Sequence, residues 1–411
     1  MLKRLWELTR LFFRLGAVTF GGPPVYIAAM QREAVEQRGW LTREHFFNLL
    51  GVTYLLPGPN AVEMANHVGY QRAGVAGCIV AGTAFTLPAV LISLALAFCY
   101  VQFGDSGRRP EIQPYLLGIK PVVVGIIFAA TWRLARSGLR SWQAGLIAAA
   151  VVAASLLGCD QILTFLAASV LGAVLLRLAT RPKQANPPPA KTAAALAAVG
   201  ALGAGRSVWA WSAQAMATGG TAAATVAIPA VAAAAATAPV AVPLWQLGLF
   251  FLKVGGVLYG SGYVLAAYLQ GGLVNDSHWL TQQQLVDAVA IGQITPGPLL
   301  STVTFVGYLL CGLPGAIVGS VAVMLPSFVL VLASNPLVPR LRRWRWTAFF
   351  LDAVTAATLG LTAAVAIALS SSASGDWPSR LLAVAAAGVT LRWNPSPVWL
   401  ILAGAAIGRL L

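Results

Sequence analysis

The chain has 411 residues, of which 58% are hydrophobic and only 9% are charged. Soluble domains carry about 25% charged residues, so this composition excludes a protein with an ordinary water-facing surface and indicates a membrane protein. The net charge of +15 would suit nucleic acid, but basic residues also collect in the cytoplasmic loops of membrane proteins, and we expect no nucleic-acid partner.

Long apolar runs follow one another along the chain. The strongest cover residues 74–103, 113–135, 142–158, 161–178, 313–333 and 348–370. A transmembrane helix needs roughly 20 predominantly apolar residues, so these runs predict an all-α polytopic membrane protein. The basic and apolar N-terminus resembles a signal peptide. A related run returns at 244–267, however, so residues 5–30 are expected to belong to the mature fold.

The two halves of the chain are related in sequence. Residues 5–59 align with residues 244–298 without a gap, and after the loss of one residue the alignment continues through Pro88 and Pro326. Internal repeats in a membrane protein are typical of transporters. The sequence therefore predicts a transporter built from two repeats.

Three regions follow from this alignment. They are an N-terminal transport repeat (1–183), a Pro/Ala-rich linker (184–243) and a C-terminal transport repeat (244–411). The loop 31–45 carries three arginines, whereas the matched loop 270–284 contains no Lys or Arg. Because basic loops stay cytoplasmic, we predict that the repeats have inverted topology. The linker must then cross the membrane an odd number of times, and 217–242 is long enough for one crossing.

Gly/Pro breaks interrupt the apolar segments at four matched places, two in each repeat. They are centred on Gly21 and Gly22, on Pro57, Gly58 and Pro59, on Gly260 and Ser261, and on Pro296, Gly297 and Pro298. A break at membrane depth is tolerated only where protein or a watery cavity satisfies the freed backbone groups. Matched breaks in two halves point to a transport site, and we predict re-entrant hairpins around such a site. Kinks in ordinary spanning helices are the alternative.

The substrate is predicted to be an anion. A new helix can start after each Pro-Gly-Pro, and the free N–H groups at a helix start favour negative charge. Asn60 and Ser301 would add side-chain donors there. The matched cations Arg14 and Lys253 lie in apolar segments and agree with an anionic substrate. The alternative is that both side chains extend to the membrane interface.

Lys120 lies deep within the apolar stretch "LLGIKPVVVGII". A lysine at the bilayer centre costs roughly 2.5–3.5 kcal/mol on insertion scales, so this side chain is expected to face a cavity or a partner. We predict that it supplies positive charge to the anion. The alternative is an ion pair with a buried carboxylate such as Asp352 or Glu63.

Glu63 and His67 are four residues apart on the helix that is predicted to follow the first Pro-Gly-Pro. Their counterparts in the second repeat are Thr302 and Val306, which do not titrate. This asymmetry suggests a role outside the shared scaffold, and proton coupling is one such role, with Asp352 as a third candidate. A plain Glu–His pair on one helix face is the alternative.

These motifs resemble the chromate ion transporter family, in its long form with two homologous halves. The resemblance rests on segments such as "FGGP" (20–23), "LLPGPNA" (55–61), "GYQRAG" (69–74), "GIKPVV" (118–123) and "GQITPGP" (292–298). It implies inverted halves, secondary active export of chromate from the cytoplasm and chromate resistance, with sulfate as a related substrate. The implied driving force is the membrane potential, the proton gradient or both.

The composition, the motifs and the resemblance together give expectations for the setting in which the chain works. We expect a multi-pass protein of the cell inner membrane that contacts lipid, binds no metal or cofactor and is not an enzyme. A second copy of the chain is a candidate partner in a homodimer. A transporter of another ion in the same fold, or an intramembrane enzyme built around Glu63 and His67, are the alternative functions.

Overall fold

The computed structural model is helical over most of the described residues, and no strand is assigned there. The described residues are 1–19, 23–103, 113–139, 141–179, 242–259, 263–335, 346–373, 377–393 and 395–410. Five of the helices are long and apolar enough to cross a membrane. The predicted all-α polytopic class is therefore confirmed.

The described part of the first repeat contains seven α-helices. They are α1 (Leu2–Val18), α2 (Pro23–Gln31), α3 (Arg43–Thr53), α4 (Asn60–Phe103), α5 (Gln113–Gly138), α6 (Trp142–Leu156) and α7 (Gln161–Ala179). The described part of the second repeat also contains seven. They are α8 (Leu244–Val257), α9 (Tyr263–Leu269), α10 (Gln282–Ile294), α11 (Ser301–Ser334), α12 (Trp346–Ala373), α13 (Trp377–Trp393) and α14 (Pro397–Leu410).

Local details recur at matched positions of the two halves. A π-helical segment continues α2 over Arg32–Gln37, and another continues α9 over Gln270–Asp276. The next helix is capped in the same way in each half, because the hydroxyls of Thr42 and Thr281 accept hydrogen bonds from the first-turn backbone. These caps satisfy N–H groups that have no partner within the helix.

The longest helix, α4, is a helical hairpin rather than one rod. A straight helix of its length would measure about 66 Å, which is twice the hydrocarbon thickness of a bilayer. Gly74 adopts a left-handed conformation with φ of +63° and reverses the chain. Gly69 and Gly77 consequently touch, since a Cβ atom built on Gly77 would lie 2.1 Å from the carbonyl oxygen of Gly69. In a straight helix these residues would be about 12 Å apart.

The second repeat contains the same hairpin in α11. Gly312 has φ of +62°, and a Cβ atom on Gly315 would lie 2.2 Å from the carbonyl oxygen of Gly307. We call the two parts of α4 its first arm (60–72) and second arm (75–103). The corresponding arms of α11 are 301–310 and 313–334. The predicted apolar runs 74–103 and 313–333 are the second arms.

Close helix packing places these hairpins. Helix α1 packs along α4, α8 packs along α11, and α4 and α11 pack against each other. A Cβ atom on Gly16 would lie 2.0 Å from the carbonyl oxygen of Phe85, and one on Gly255 would lie 2.2 Å from that of Val323. Glycine at these positions lets the backbones approach, as in many membrane helix pairs.

The remaining long helices exchange partners between the repeats. Helix α5 of the first repeat packs against α13 and α14 of the second, and α12 of the second repeat packs against α6 and α7 of the first. The two halves therefore share one interleaved structure. Residues 180–241 lie outside the described residues, and with them nearly all of the linker and its predicted crossing at 217–242. The relative orientation of the repeats in a membrane stays a prediction.

Candidate transport site

The flanks of the four breaks meet crosswise between the halves. The amide N–H of Gly297 donates to the carbonyl oxygen of Thr19 at 3.2 Å, and the hydroxyl of Tyr26 donates to the carbonyl oxygen of Gly297 at 2.5 Å. The second Pro-Gly-Pro thus lies against both flanks of the first Gly-rich break. In the matching arrangement, the hydroxyl of Tyr259 donates to the carbonyl oxygen of Leu55 at 3.3 Å. The first Pro-Gly-Pro therefore lies near the second Gly-rich break.

Glycine makes these approaches close. A Cβ atom on Gly297 would lie 2.9 Å from the Cβ atom of Ala89, and one on Gly58 would lie 2.6 Å from the hydroxyl oxygen of Ser327. Ala89 and Ser327 occupy matched positions on the second arms of α4 and α11. Each Pro-Gly-Pro therefore rests on the long helix of the opposite repeat. Gly21, Gly22, Gly260 and Ser261 lie outside the described residues.

Both Pro-Gly-Pro breaks are followed by a helix start. Helix α4 begins at Asn60, which directly follows Pro59, and α11 begins at Ser301 after a short turn. Asn60 and Ser301 are both buried. The first amides of α11 donate within the break itself, with Ser301 N–H bound to the carbonyl oxygen of Pro298 at 3.2 Å. An anion at this helix start would have to replace such short turns.

A small cavity adjoins the second Pro-Gly-Pro. Its lining includes Thr86, Ala89, Pro298, Ser301, Ser320 and Met324. The hydroxyls of Ser301 and Thr295 share a hydrogen bond of 2.8 Å, and the hydroxyl of Ser93 donates to the carbonyl oxygen of Ser301 at 2.7 Å. The cavity is thus bounded by both long helices and by the helix start, and the hydroxyls of Thr86, Ser301 and Ser320 that line it form hydrogen bonds within the protein.

Lys120 is held by a carboxylate of the other repeat. Its ammonium lies 3.7 Å from a carboxylate oxygen of Asp287 in α10, and Asp287 is only 3% exposed. The hydroxyl of Tyr100 donates to the other carboxylate oxygen at 2.9 Å. The sequence alternative of a buried ion pair therefore describes this lysine, although its partner is neither Asp352 nor Glu63. Asp352 lies half-buried in α12.

The two matched cations lie in different surroundings. Arg14 forms an ion pair with Glu33, whose carboxylate also binds Arg38, and 58% of the Arg14 side chain is exposed. Lys253 is exposed on α8. These positions agree with the alternative in which the two side chains extend to the membrane interface.

Unpartnered polar side chains concentrate behind the first Pro-Gly-Pro. Glu63, Asn66 and His67 are each 0% exposed, as is Ser327. Their side-chain oxygens and nitrogens make no hydrogen bond to any described residue. We call these four residues the Glu63 cluster. Nearly all buried polar groups in proteins have partners, so four unpartnered side chains in one place require an explanation.

The Glu63 cluster joins the break to both hairpins. A Cβ atom on Gly58 would lie 2.1 Å from Oε1 of Glu63, so the carboxylate rests against the Pro-Gly-Pro backbone. Asn66 faces the second arm of α4, since a Cβ atom on Gly82 would lie 1.9 Å from its Oδ1. The Asn335 side chain is the polar neighbour of the His67 ring.

Comparison with known proteins gives this arrangement a family. A family model described as "Chromate transporter" matches residues 6–175 and 245–409. The chain belongs to the chromate transporter family. Its two matched ranges leave out the Pro/Ala-rich linker, and no solved structure matches this member of the family.

Three curated relatives of this chromate transporter family member align over most of its length. The chromate transport protein of Cupriavidus metallidurans is 32% identical and is aligned over 98% of this chain and 92% of its own. The probable chromate transport protein of Synechococcus elongatus is 29% identical, with 98% and 94% covered. The chromate transport protein of Pseudomonas aeruginosa is 28% identical, with 91% and 83% covered.

Two features of this chromate transporter family member were not predicted from its sequence. Asp287 is a lone carboxylate in the apolar stretch "LVDAVAIGQI", and an intramembrane carboxylate is a functional candidate in its own right. That signal was available. The position of Ser327 could not be predicted, because only the fold brings its hydroxyl close to Gly58 and Glu63.

Proposed function

We propose that this protein exports chromate, or a related dianionic oxyanion such as sulfate, from the cytoplasm across the cell inner membrane. The observation that carries the proposal is the crosswise meeting of the break flanks in a chain of the chromate transporter family. Discontinuous helices at the interface of two repeats form the substrate site in many secondary transporters. The names of the curated relatives support chromate as the first substrate to test.

The proposed site is the cavity beside the second Pro-Gly-Pro, with the start of α11 as its anion-binding end. Ser301 supplies a hydroxyl there, and the helix start supplies N–H groups once its short turns open. Lys120 is the second proposed source of positive charge for the anion. To use it, the anion would have to compete with Asp287 for the ammonium.

The membrane potential favours export of such a substrate. Moving one charge through 100 mV is worth about 2.3 kcal/mol, so a dianion that leaves a cytoplasm with negative potential gains roughly twice that amount. Uptake of the same dianion would need at least two accompanying cations. Export therefore requires no further energy source.

Flux into inside-out membrane vesicles tests the function. Vesicles that contain the chain should accumulate labelled chromate or sulfate when the interior is made positive, and a protonophore-collapsed potential should reduce the flux. Vesicles from cells without the chain are the control. Equal uptake in both preparations, for both anions and with either sign of potential, would overturn the proposal.

A further inference from the structure

We propose that the Glu63 cluster is a proton-binding site, and that its carboxylate takes up a proton when an oxyanion binds in the cavity beside the second Pro-Gly-Pro. This inference rests on the proposed function, because it presumes that an oxyanion enters that cavity. In this step an O–H bond of a hydronium ion breaks, an O–H bond forms on the Glu63 carboxylate, water is left, and no oxidation state changes.

Burial without a partner is the first observation that carries the inference. Glu63 is fully buried, and neither of its oxygens accepts a hydrogen bond within the described residues. No Lys or Arg in the described part of the chain forms an ion pair with it. Burying an ionised carboxylate without a partner is very costly, whereas its protonated form is neutral.

The groups that face this carboxylate do not supply a compensating cation. The phenol of Tyr259 is an electrostatic neighbour from the second repeat. His67 lies one turn further along the same arm, with His45 of α3 as its electrostatic neighbour and the neutral Asn335 amide close to its ring. The Tyr259 phenol and the His67 imidazole, with His45 beyond it, thus form the titratable surroundings of Glu63, and protons are the charges that can balance its carboxylate.

Proximity to the cavity is the second observation. Ser327 lies four residues beyond Val323, which lines the cavity, and Gly82 lies four residues before Thr86, which also lines it. Four residues of helix measure about 6 Å. The Glu63 cluster and the cavity are therefore adjacent sections of the same helix pair. An oxyanion one turn away repels an ionised carboxylate strongly in a poorly solvated interior.

The repeat supplies the third observation. The positions matched to Glu63, Asn66 and His67 are Thr302, Phe305 and Val306. Thr302 is buried beside Gly292, and the other two are apolar. The titratable residues therefore follow only one of two otherwise matching breaks. Residues that the shared fold required would be expected in both repeats.

The sign of the coupling follows from electrostatics. A bound oxyanion favours the protonated carboxylate, so by linkage a protonated carboxylate favours the bound oxyanion. Oxyanion affinity should then fall as pH rises. For one linked proton, the fall is about tenfold per pH unit over the range in which Glu63 titrates.

Calorimetry of sulfate binding to the purified full-length protein tests the coupling. Sulfate is chosen because, unlike chromate, it does not itself take up a proton near neutral pH. Titrations in buffers of different ionisation enthalpy give the number of protons bound per sulfate. We expect little uptake at low pH, where Glu63 is already protonated, and an uptake approaching one proton at the higher pH at which Glu63 is ionised before sulfate binds.

Variants then assign the proton. Glu63→Gln keeps the shape and removes the titration, so it should bind sulfate without proton uptake and with an affinity that varies less than twofold per pH unit. Glu44→Gln makes the same change at an exposed carboxylate in the first turn of α3 and should keep the wild-type uptake. Wild-type binding without proton uptake at every pH at which the protein is folded, or undiminished uptake by Glu63→Gln, would overturn the inference alone. Binding of neither sulfate nor chromate would overturn the proposed function as well.

Discussion

The two Pro-Gly-Pro breaks have the same backbone setting but different side chains behind them. Each follows a short capped helix, precedes a helical hairpin and rests on the long helix of the opposite repeat. Behind the first lie Glu63 and His67, and behind the second lie Thr302 and Val306. The duplicated scaffold thus fixes where the chain is broken, and titratable side chains follow the first break but not the second.

The glycine contacts of the hairpins should be equally necessary in both halves. Gly69→Leu and Gly307→Leu each place a side chain where a backbone carbonyl lies within 2.4 Å of the Cβ position. Because overpacking costs about 1–3 kcal/mol or more and these neighbours are backbone atoms, we expect most of the folded protein to be lost. Fluorescence-detected gel filtration of detergent extracts measures the folded fraction.

Gly388→Leu is the matched control for these changes. Gly388 lies on the exposed face of α13, and a Cβ atom there would meet nothing within 4 Å. The Gly388→Leu variant should have a folded fraction near that of the wild type. If only one of the two leucine variants lost its folded fraction, the two hairpins would differ in how strongly they depend on the glycine contact.

Substitution of the Lys120–Asp287 ion pair, which joins the two repeats, should change the thermal stability of the protein. Lys120→Gln leaves Asp287 in a buried site without its ammonium partner, and breaking a buried pair costs on the order of 3 kcal/mol. We expect a lower thermal midpoint for the single variant and recovery in the double variant Lys120→Gln/Asp287→Asn. A double-mutant cycle of thermal midpoints measures the coupling.

Transport by the same double variant decides the role of the lysine. If Lys120 serves only the ion pair, transport should recover together with stability. If it binds the oxyanion, the restored protein should stay inactive in chromate or sulfate flux at equal membrane abundance. An unstable double variant would contradict the pairing that the structure shows.

Removal of one side-chain donor from each helix start should raise the KM for the oxyanion to different extents at the two breaks. Ser301→Ala removes a hydroxyl that lines the cavity and should raise the KM for the oxyanion about tenfold, which is the scale of one hydrogen bond to a charged group. Asn60→Ala changes the start of α4, which adjoins the Glu63 cluster. It should change KM less than Ser301→Ala does.

Initial rates of sulfate flux at several concentrations give both values. Equal increases in KM for the two variants would place the oxyanion between the breaks rather than beside the second. A larger increase for Asn60→Ala would reverse the comparison and move the anion to the first break.

Apolar composition was sufficient for the class and for the five helices that are long enough to cross a membrane, because bilayer thickness fixes how long an apolar run must be. The predicted apolar runs 74–103 and 313–333 begin at the turns of the two hairpins, but the packing of each second arm against its first arm was not predicted. Gly74 stands in an apolar run like many glycines inside membrane helices, and only its left-handed conformation distinguishes it. The partner of Lys120 was also missed, since Asp287 is distant in sequence and pairing between repeats depends on tertiary packing.

The two halves are also predicted to face opposite sides of the membrane. Gln37 and Asp276 end the two π-helical segments, occupy matched positions and are both exposed. Single cysteines there, in a background without Cys78, Cys99, Cys159 and Cys311, should leave transport unchanged because both side chains are exposed. With inverted repeats, an impermeant thiol reagent should label one position from outside and the other only after permeabilisation. Labelling of both from one side would make the repeats parallel, and the two breaks would then open in the same direction.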